Sequence, residues 1–264
     1  MKIGFIGMGN LATAMVKGLI QKELFAPEEI IASRRSEAEL DKIQKEYGIC
    51  TTTNNKEVVE KAEILMLAVK PQFMEKVITE IRDEIREDQL VVSLAAGKSL
   101  QFIEAAFGKK VKLVRCMSNT PAAVLEACTG FCHNNTLTKI ELERVTAVLS
   151  CFGVAEEVPE KLMDTVVGIS GSSPAYVFMF IEAMADAAVL GGMPRKQAYT
   201  FCAQAVLGSA KLVLETGKHP AELKDMVCSP GGTTIEAVRV LEESGFRAAI
   251  MDAVDACIEK SKIL

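Results

Sequence analysis

The first residues that could do chemistry are small ones near the start of the chain. Gly7, Gly9 and Ala12 have the spacing Gly-x-Gly-x-x-Ala, after an apolar run at residues 3–6 and before a segment of helical composition. The first glycine permits a tight turn, the second lets the backbone approach a pyrophosphate, and the alanine lets the helix pack close to the strand. The N–H groups and the positive dipole end of that helix would face the phosphates. This stretch therefore predicts a dinucleotide site.

Basic residues follow at the position that determines whether such a site prefers NAD or NADP. Ser33, Arg34 and Arg35 come directly after a second apolar run, and the first acidic residue after them is Glu37. An NAD site places Asp or Glu here to bind the ribose hydroxyls, whereas an arginine accommodates a 2′-phosphate. We therefore predict a preference for NADPH, with NADH as a weaker alternative.

A second glycine pair lies near the other end of the chain. Gly231 and Gly232 precede Thr233, and the spacing Thr233-x-x-Glu236 predicts a capping box at the start of a helix. The unpaired N–H groups at such a start can bind an anion such as a carboxylate. A plain helix cap without a ligand is the alternative at this position.

The elements that position these residues can be predicted from apolar runs. The stretches 30–32, 64–69, 90–94 and 111–117 are rich in apolar residues, continuously so at 64–69, and alternate with helical stretches, as in a mostly parallel sheet covered on both faces. Chemistry in such folds gathers at the carboxyl ends of the strands. Asn119 and the pair Ala95-Ala96 follow two of these strands, where a nicotinamide would lie. Ordinary strand-to-helix turns are the alternative for both.

The second part of the chain has a different character. Strand signals end near residues 153–159, and only helices punctuated by Gly and Pro follow Glu160. We predict an α/β fold with a Rossmann-type, doubly wound, mostly parallel domain at 1–160 and an all-helical dimerisation and substrate domain at 161–264. The helical part is apolar on more than one face around 177–181 and 203–213. Such a segment needs cover on several sides, which predicts at least a dimer.

Composition excludes several classes of protein. The chain has 264 residues, of which 49% are apolar and 25% charged, so it is globular. Its net charge of −5 argues against nucleic-acid binding, and we expect no membrane span, because no stretch of about 20 residues is both apolar and uncharged. The eight cysteines are scattered and no leader pattern precedes them, which predicts reduced thiols in the cytoplasm. Cys128, Cys132 and His133 lack a second ligand pair at zinc spacing, so we expect no metal.

Six segments of the chain share the residue pattern of one family, and they are Ile6–Leu11, Ala68–Pro71, Ala95–Gly97, Arg115–Pro121, Gly171–Tyr176 and Leu223–Thr234. Together they resemble pyrroline-5-carboxylate reductase. The similarity covers essentially the whole chain in order and is most specific in its last two segments. The chain departs from the usual pattern at Ser173, where glycine is common, and at Met226, where some members have asparagine.

The resemblance implies reduction of 1-pyrroline-5-carboxylate to L-proline, the last step of proline biosynthesis. It implies NADPH or NADH as the cofactor and a homodimer with an interlocked helical core, assembled in some members into a ring of dimers. Substrate contacts are implied at Glu160, Ser229, Gly232, Thr233 and Thr234. Cofactor contacts are implied at Ile6, Gly7, Met8, Gly9, Asn10, Leu11, Ser33, Arg34, Asn55, Ala68, Val69, Lys70, Pro71, Leu94, Ala95 and Ala96.

Thr234 is the one residue for which we predict a catalytic role. The family position that matches it hydrogen-bonds the ring nitrogen of the imine, and a threonine hydroxyl there would orient the imine or relay a proton. Two other functions remain open. A β-hydroxyacid dehydrogenase shares the layout, but its polar residues would fall on Val177 and Ile181. A non-catalytic NADP-binding regulator would keep the same binding residues.

Overall fold

The computed structural model describes residues 2–263, and its first part is built on one eight-stranded sheet. The strand order is β3-β2-β1-β4-β5-β6-β7-β8, in which the chain reverses direction across the sheet between β1 and β4. The strands are β1 (Ile3–Ile6), β2 (Ile30–Ser33), β3 (Cys50–Thr52), β4 (Ile64–Leu67), β5 (Leu90–Ser93), β6 (Lys112–Met117), β7 (Ala127–His133) and β8 (Gly153–Glu157).

The sheet is mostly parallel, as the sequence predicted. All neighbouring strands run parallel except β6 and β7, which are antiparallel. Every residue of β1, β2, β4 and β5 is buried, which explains why these strands are almost entirely apolar. The sequence did not predict β3, β7 or β8, because β3 and β8 are partly exposed edge strands and β7 mixes polar with apolar residues.

Helices cover both faces of this sheet. Alternate residues of each strand point to opposite sides, so that Ile3 and Phe5 join one core cluster and Ile6 joins the other. The first cluster packs under α1 (Asn10–Gln21) and α6 (Lys139–Leu149). The helices on the other face are α3 (Asn55–Lys61), α4 (Met74–Ile81) and α5 (Leu100–Phe107), while α2 (Glu37–Tyr47) follows β2. This is the doubly wound arrangement of a Rossmann-type fold.

The chain forms two compact units, the first of which contains residues 2–172 and 258–263. After β8, the short α7 (Met163–Val166) continues into a π-helical turn, Val167–Gly171. In the last turn of the chain, the Ser261 hydroxyl lies 2.6 Å from a carboxylate oxygen of Asp164 and donates to it. The predicted division after residue 160 stays a prediction.

The second unit, residues 173–257, is entirely helical in its regular structure. Its helices are α8 (Ser173–Leu190), α9 (Arg195–Thr216), α10 (Pro220–Val227), α11 (Thr233–Glu243) and α12 (Phe246–Ser261), of which the last turn belongs to the first unit. The only core cluster in its described residues is small, with Ala185, Ala198 and Cys202 at its centre. Large apolar side chains such as Phe178, Phe201 and Leu214 are exposed instead.

Candidate active site

A cavity of about 600 Å³ opens at the carboxyl ends of β1, β2 and β4. It is built entirely from the first unit, at the point where the strand order reverses, which is where doubly wound folds bind ligands. Of the residues predicted to contact a cofactor, the cavity brings together Ile6, Gly7, Met8, Gly9, Ser33, Arg34, Asn55, Ala68, Val69 and Lys70.

The glycine turn after β1 has the geometry that its sequence requires. Gly7 has a φ of +92°, and a Cβ there would come within 2.8 Å of the carbonyl oxygen of Ala68. Gly9 is the N-cap of α1, and a Cβ on it would meet no atom within 4 Å. The first glycine is therefore needed by the fold, while the second leaves open space in front of the helix N-terminus. Met8 contributes its backbone only, because its side chain is buried in the core.

A chain of hydrogen bonds fixes the floor of the cavity beside β2. The Ser33 hydroxyl donates to the side-chain oxygen of Asn55 at 2.7 Å, and the Asn55 amide donates to Glu80 at 3.1 Å. Ser33 is buried at the end of β2, so its position is set by the sheet. These bonds link β2, α3 and α4 around the cavity.

Two arginines lie at the same edge. The Arg34 guanidinium donates to the Met8 carbonyl at 2.6 Å and forms an ion pair with Glu39 at 2.6 Å. Arg35 lies over the ring of Phe73, with 5.0 Å between the guanidinium carbon and the ring centroid. Open space at Gly9, a helix N-terminus and guanidinium groups together fit the phosphates of a dinucleotide.

Some lining residues were not predicted from the sequence. Phe73, Lys76, Val77 and Glu80 line the cavity from the segment after β4. Their spacing of three, four and seven residues is that of one helix face, a signal that could have identified them. Glu39, in the first turn of α2, gave no such signal, because its distance from Arg34 along the sequence does not show that the two side chains meet. The other unpredicted lining residues are Ser36 and Thr53, while Arg35 lies at the position that the sequence marked as selecting the cofactor.

The remaining predicted cofactor residues lie outside this cavity, and their roles stay predictions. They are Asn10, Leu11, Pro71, Leu94, Ala95, Ala96 and Asn119. Both the nitrogen and the oxygen of the Asn119 side-chain amide already form hydrogen bonds inside the first unit. Its nitrogen donates to the backbone and hydroxyl oxygens of Ser170, and its oxygen accepts from the N–H of Cys128.

Glu160 has a defined position beside β6. Its Oε1 accepts a hydrogen bond from the Leu100 N–H at 2.7 Å and another from Arg115 at 3.1 Å. Arg115 is buried, so this carboxylate compensates a charge held inside the protein. Burial, followed by the Glu160 charge, raises the pKa of the neighbouring Cys132 thiol to about 11, which disfavours the reactive thiolate at neutral pH.

The predicted substrate loop, residues 229–234, lies in the second unit. Gly231 has a φ of +66°, and the Gly232 N–H donates to the Ser229 carbonyl at 3.0 Å, so the chain turns just before α11. The predicted capping box is wrong, because Gly232 takes the N-cap position and no side chain caps the helix. Glu236 is paired with Arg239 instead.

This turn leaves the start of α11 open. The N-cap residue, Gly232, has no side chain that could bond to the first N–H groups of α11, so these groups can donate to an anion. Thr233 is exposed and Thr234 is half-buried. Within the described residues, no group of three or more His, Cys, Asp and Glu side chains could hold a metal ion.

The fold and the cavity define a dinucleotide-binding protein of the Rossmann type. Residues 2–97 match the family described as NADP oxidoreductase, coenzyme F420-dependent, and residues 160–264 match the family described as pyrroline-5-carboxylate reductase dimerisation. The chain is 53% identical to the pyrroline-5-carboxylate reductase of Escherichia coli K12 over 100% of its own length and 98% of the relative. The chain belongs to the pyrroline-5-carboxylate reductase family, which confirms the resemblance seen in its motifs.

Solved structures agree with this membership. A pyrroline-5-carboxylate reductase from Coxiella burnetii has a TM-score of 0.94 and 35% identity, and the match covers 99% of this chain and 97% of that one. The Plasmodium falciparum pyrroline carboxylate reductase with NADP bound has a TM-score of 0.89 and 30% identity, covering 100% and 97% of the two chains.

Proposed function

We propose that this chain reduces 1-pyrroline-5-carboxylate to L-proline with NADPH or, more weakly, NADH, as the last step of proline biosynthesis. The observation that carries the proposal is the dinucleotide cavity at Gly7, Gly9 and Arg34, in a chain 53% identical to a reductase of that name over its whole length. The bound cofactor supplies a hydride to the imine carbon.

The first unit would hold the cofactor. Gly9 and the N-terminus of α1 leave room and N–H donors for the pyrophosphate, and Arg34 offers its guanidinium to a 2′-phosphate. The Ser33–Asn55 bond keeps the neighbouring floor of the cavity in place. The other cofactor contacts predicted above, including Asn119 at its strand end, complete the proposed cofactor site.

The substrate side of the proposal rests on the loop before α11. The N–H groups at this helix start, which no N-cap side chain binds, suit the carboxylate of the substrate, with Ser229, Gly232 and Thr233 around it. Thr234 would place its hydroxyl at the ring nitrogen, where it orients the imine or holds a proton in transit. Glu160 is the remaining proposed substrate contact, and Arg115 fixes its carboxylate.

We also propose that the working molecule is a homodimer, or a ring of dimers, in the cytoplasm. The helical segment Glu160–Leu190 is long and apolar enough to span a membrane by composition alone, and little of it is buried within the chain. It contains five charged residues, and the family's dimerisation region covers it, so a second copy of the chain is the proposed cover. Neither nucleic acid nor membrane is a proposed partner.

The test is the substrate-dependent loss of reduced-nicotinamide absorbance, with proline identified as the product. We expect turnover with both cofactors and a higher kcat/KM for NADPH. A β-hydroxyacid dehydrogenase would instead reduce NADP⁺ with a 3-hydroxy acid and ignore the imine. Cofactor binding without turnover of either substrate would indicate a regulator and contradict the proposal.

A further inference from the structure

Arg34 is held by two partners before any ligand arrives. Its Nη1 donates to the Met8 carbonyl at 2.6 Å, and its Nε lies 2.6 Å from the carboxylate of Glu39. The Met8 bond ties the guanidinium to the glycine turn, so Arg34 stays at the cavity edge. The ion pair brings a negative charge to the same place.

Glu39 also lines the cavity, where its charge is unusual. The lining contains four cationic side chains, Arg34, Arg35, Lys70 and Lys76, and only two carboxylates, those of Glu39 and Glu80. The carboxylate of Glu80 accepts a hydrogen bond from the side-chain amide of Asn55. Glu39 is thus the carboxylate that directly contacts the arginine expected to read the 2′-position of the cofactor.

We propose that Glu39 is a specificity-determining residue, which lowers the preference for NADPH over NADH by competing with a 2′-phosphate for Arg34. The proposal rests on the proposed use of these two cofactors. A 2′-phosphate that binds Arg34 comes within reach of Glu39, because the two side chains touch. A ribose 2′-hydroxyl meets no repulsion there, and a carboxylate can accept its hydrogen bond, as in NAD sites.

The size of the effect follows from the charges. Two unit charges about 4 Å apart in water change an affinity about fivefold, and a phosphate with nearly two charges raises this factor to about thirty. Glu39→Gln removes the charge and keeps an oxygen that can still accept from Arg34. The substitution therefore separates the charge of Glu39 from any part it has in positioning Arg34.

The experiment is calorimetric titration of the full-length protein with NADP⁺ and with NAD⁺ at low and high salt. The control is Glu37→Gln, which removes an equal charge from the same first turn of α2 but lies outside the cavity. Both variants weaken the interaction with the helix dipole in the same way. We expect Glu39→Gln to raise the ratio of the two dissociation constants in favour of NADP⁺ by about five- to thirtyfold at low salt, and less at high salt.

Glu37→Gln should change that ratio less than twofold. The proposal is overturned if Glu39→Gln also changes it less than twofold, if NADP⁺ binds more weakly to that variant, or if the parent binds neither dinucleotide. Because binding is measured without the imine substrate, a shifted ratio in a protein that fails to reduce pyrroline-5-carboxylate would refute the proposed function alone.

Discussion

Replacing each glycine of the turn after β1 by alanine should separate folding from cofactor binding. At Gly7 the φ of +92° costs an L-residue about 1–2 kcal/mol, and the new Cβ would lie 2.8 Å from the Ala68 carbonyl oxygen. Backbone must move to relieve that contact, at about 1–3 kcal/mol. We therefore expect Gly7→Ala to lower the free energy of unfolding by about 2–5 kcal/mol.

Gly9→Ala should instead leave stability almost unchanged and weaken cofactor binding. The residue has a φ of −92°, and no atom lies within 4 Å of the position that a Cβ would take, so the fold accepts a methyl group. Alanine restricts the unfolded chain, which stabilises the fold, but it is a poorer N-cap residue than glycine, which destabilises the helix. The two effects offset each other and leave the free energy of unfolding within about 1 kcal/mol of the parent's. The methyl group would occupy the space in front of α1, and NADP⁺ affinity should fall at least about tenfold, or 1.4 kcal/mol.

Denaturant unfolding and calorimetric NADP⁺ titration measure the two effects on the same preparations. Gly108→Ala is the matched control, because Gly108 has a φ of +65°, open space around its Cβ and no place in the cavity. It should show the conformational cost alone, about 1–2 kcal/mol, with unchanged NADP⁺ affinity. A Gly9→Ala protein that binds NADP⁺ within twofold of the parent would refute the close approach of the pyrophosphate at this residue.

Four further predictions concern the cofactor, the substrate loop and the assembly. Arg34→Ala should lower kcat/KM for NADPH by about 10- to 150-fold, because one charge-assisted hydrogen bond is lost, and should change kcat/KM for NADH little. Equal use of both cofactors by the parent would contradict this prediction. Thr234→Ala should lower kcat at least about tenfold at neutral pH with the fold retained, and parental kcat across the pH range would remove Thr234 from the mechanism. Thr233→Ala should leave stability almost unchanged, since Thr233 makes no cap. Sedimentation should show a dimer or larger species that Phe178→Glu dissociates, and a folded, active parent monomer at micromolar concentration would disprove the assembly.

The predictable part of the fold is the part in which both faces of a strand are buried. β1, β2, β4 and β5 are short, almost entirely apolar and easily recognised. An edge strand such as β8 keeps polar residues because solvent reaches it, so no periodic apolar signal marks it. The helices of the second unit were predictable for another reason, since glycine and proline mark their ends, as Pro194 and Gly217 do for α9.

The candidate site was predictable where backbone geometry demands a residue type. Gly7 shows this, because its positive φ needs glycine. Contacts between side chains were not predictable. The Arg34–Glu39 ion pair could be recognised only from the orientation of both side chains in the structure. The cap of α11 was assigned one residue too late, since Gly232 offers no side chain that would mark it as the N-cap.

The return of residues 258–263 to the first unit has a consequence for synthesis on the ribosome. Asp164 is made long before Ser261, the residue whose hydroxyl bonds to it. The sheet can form while the helical segment is still being translated, but this unit is complete only when the last turn of α12 has left the exit tunnel. A premature stop codon in that turn would therefore remove Ser261, a residue of the nucleotide-binding unit that is only 7% exposed, together with its bond to Asp164.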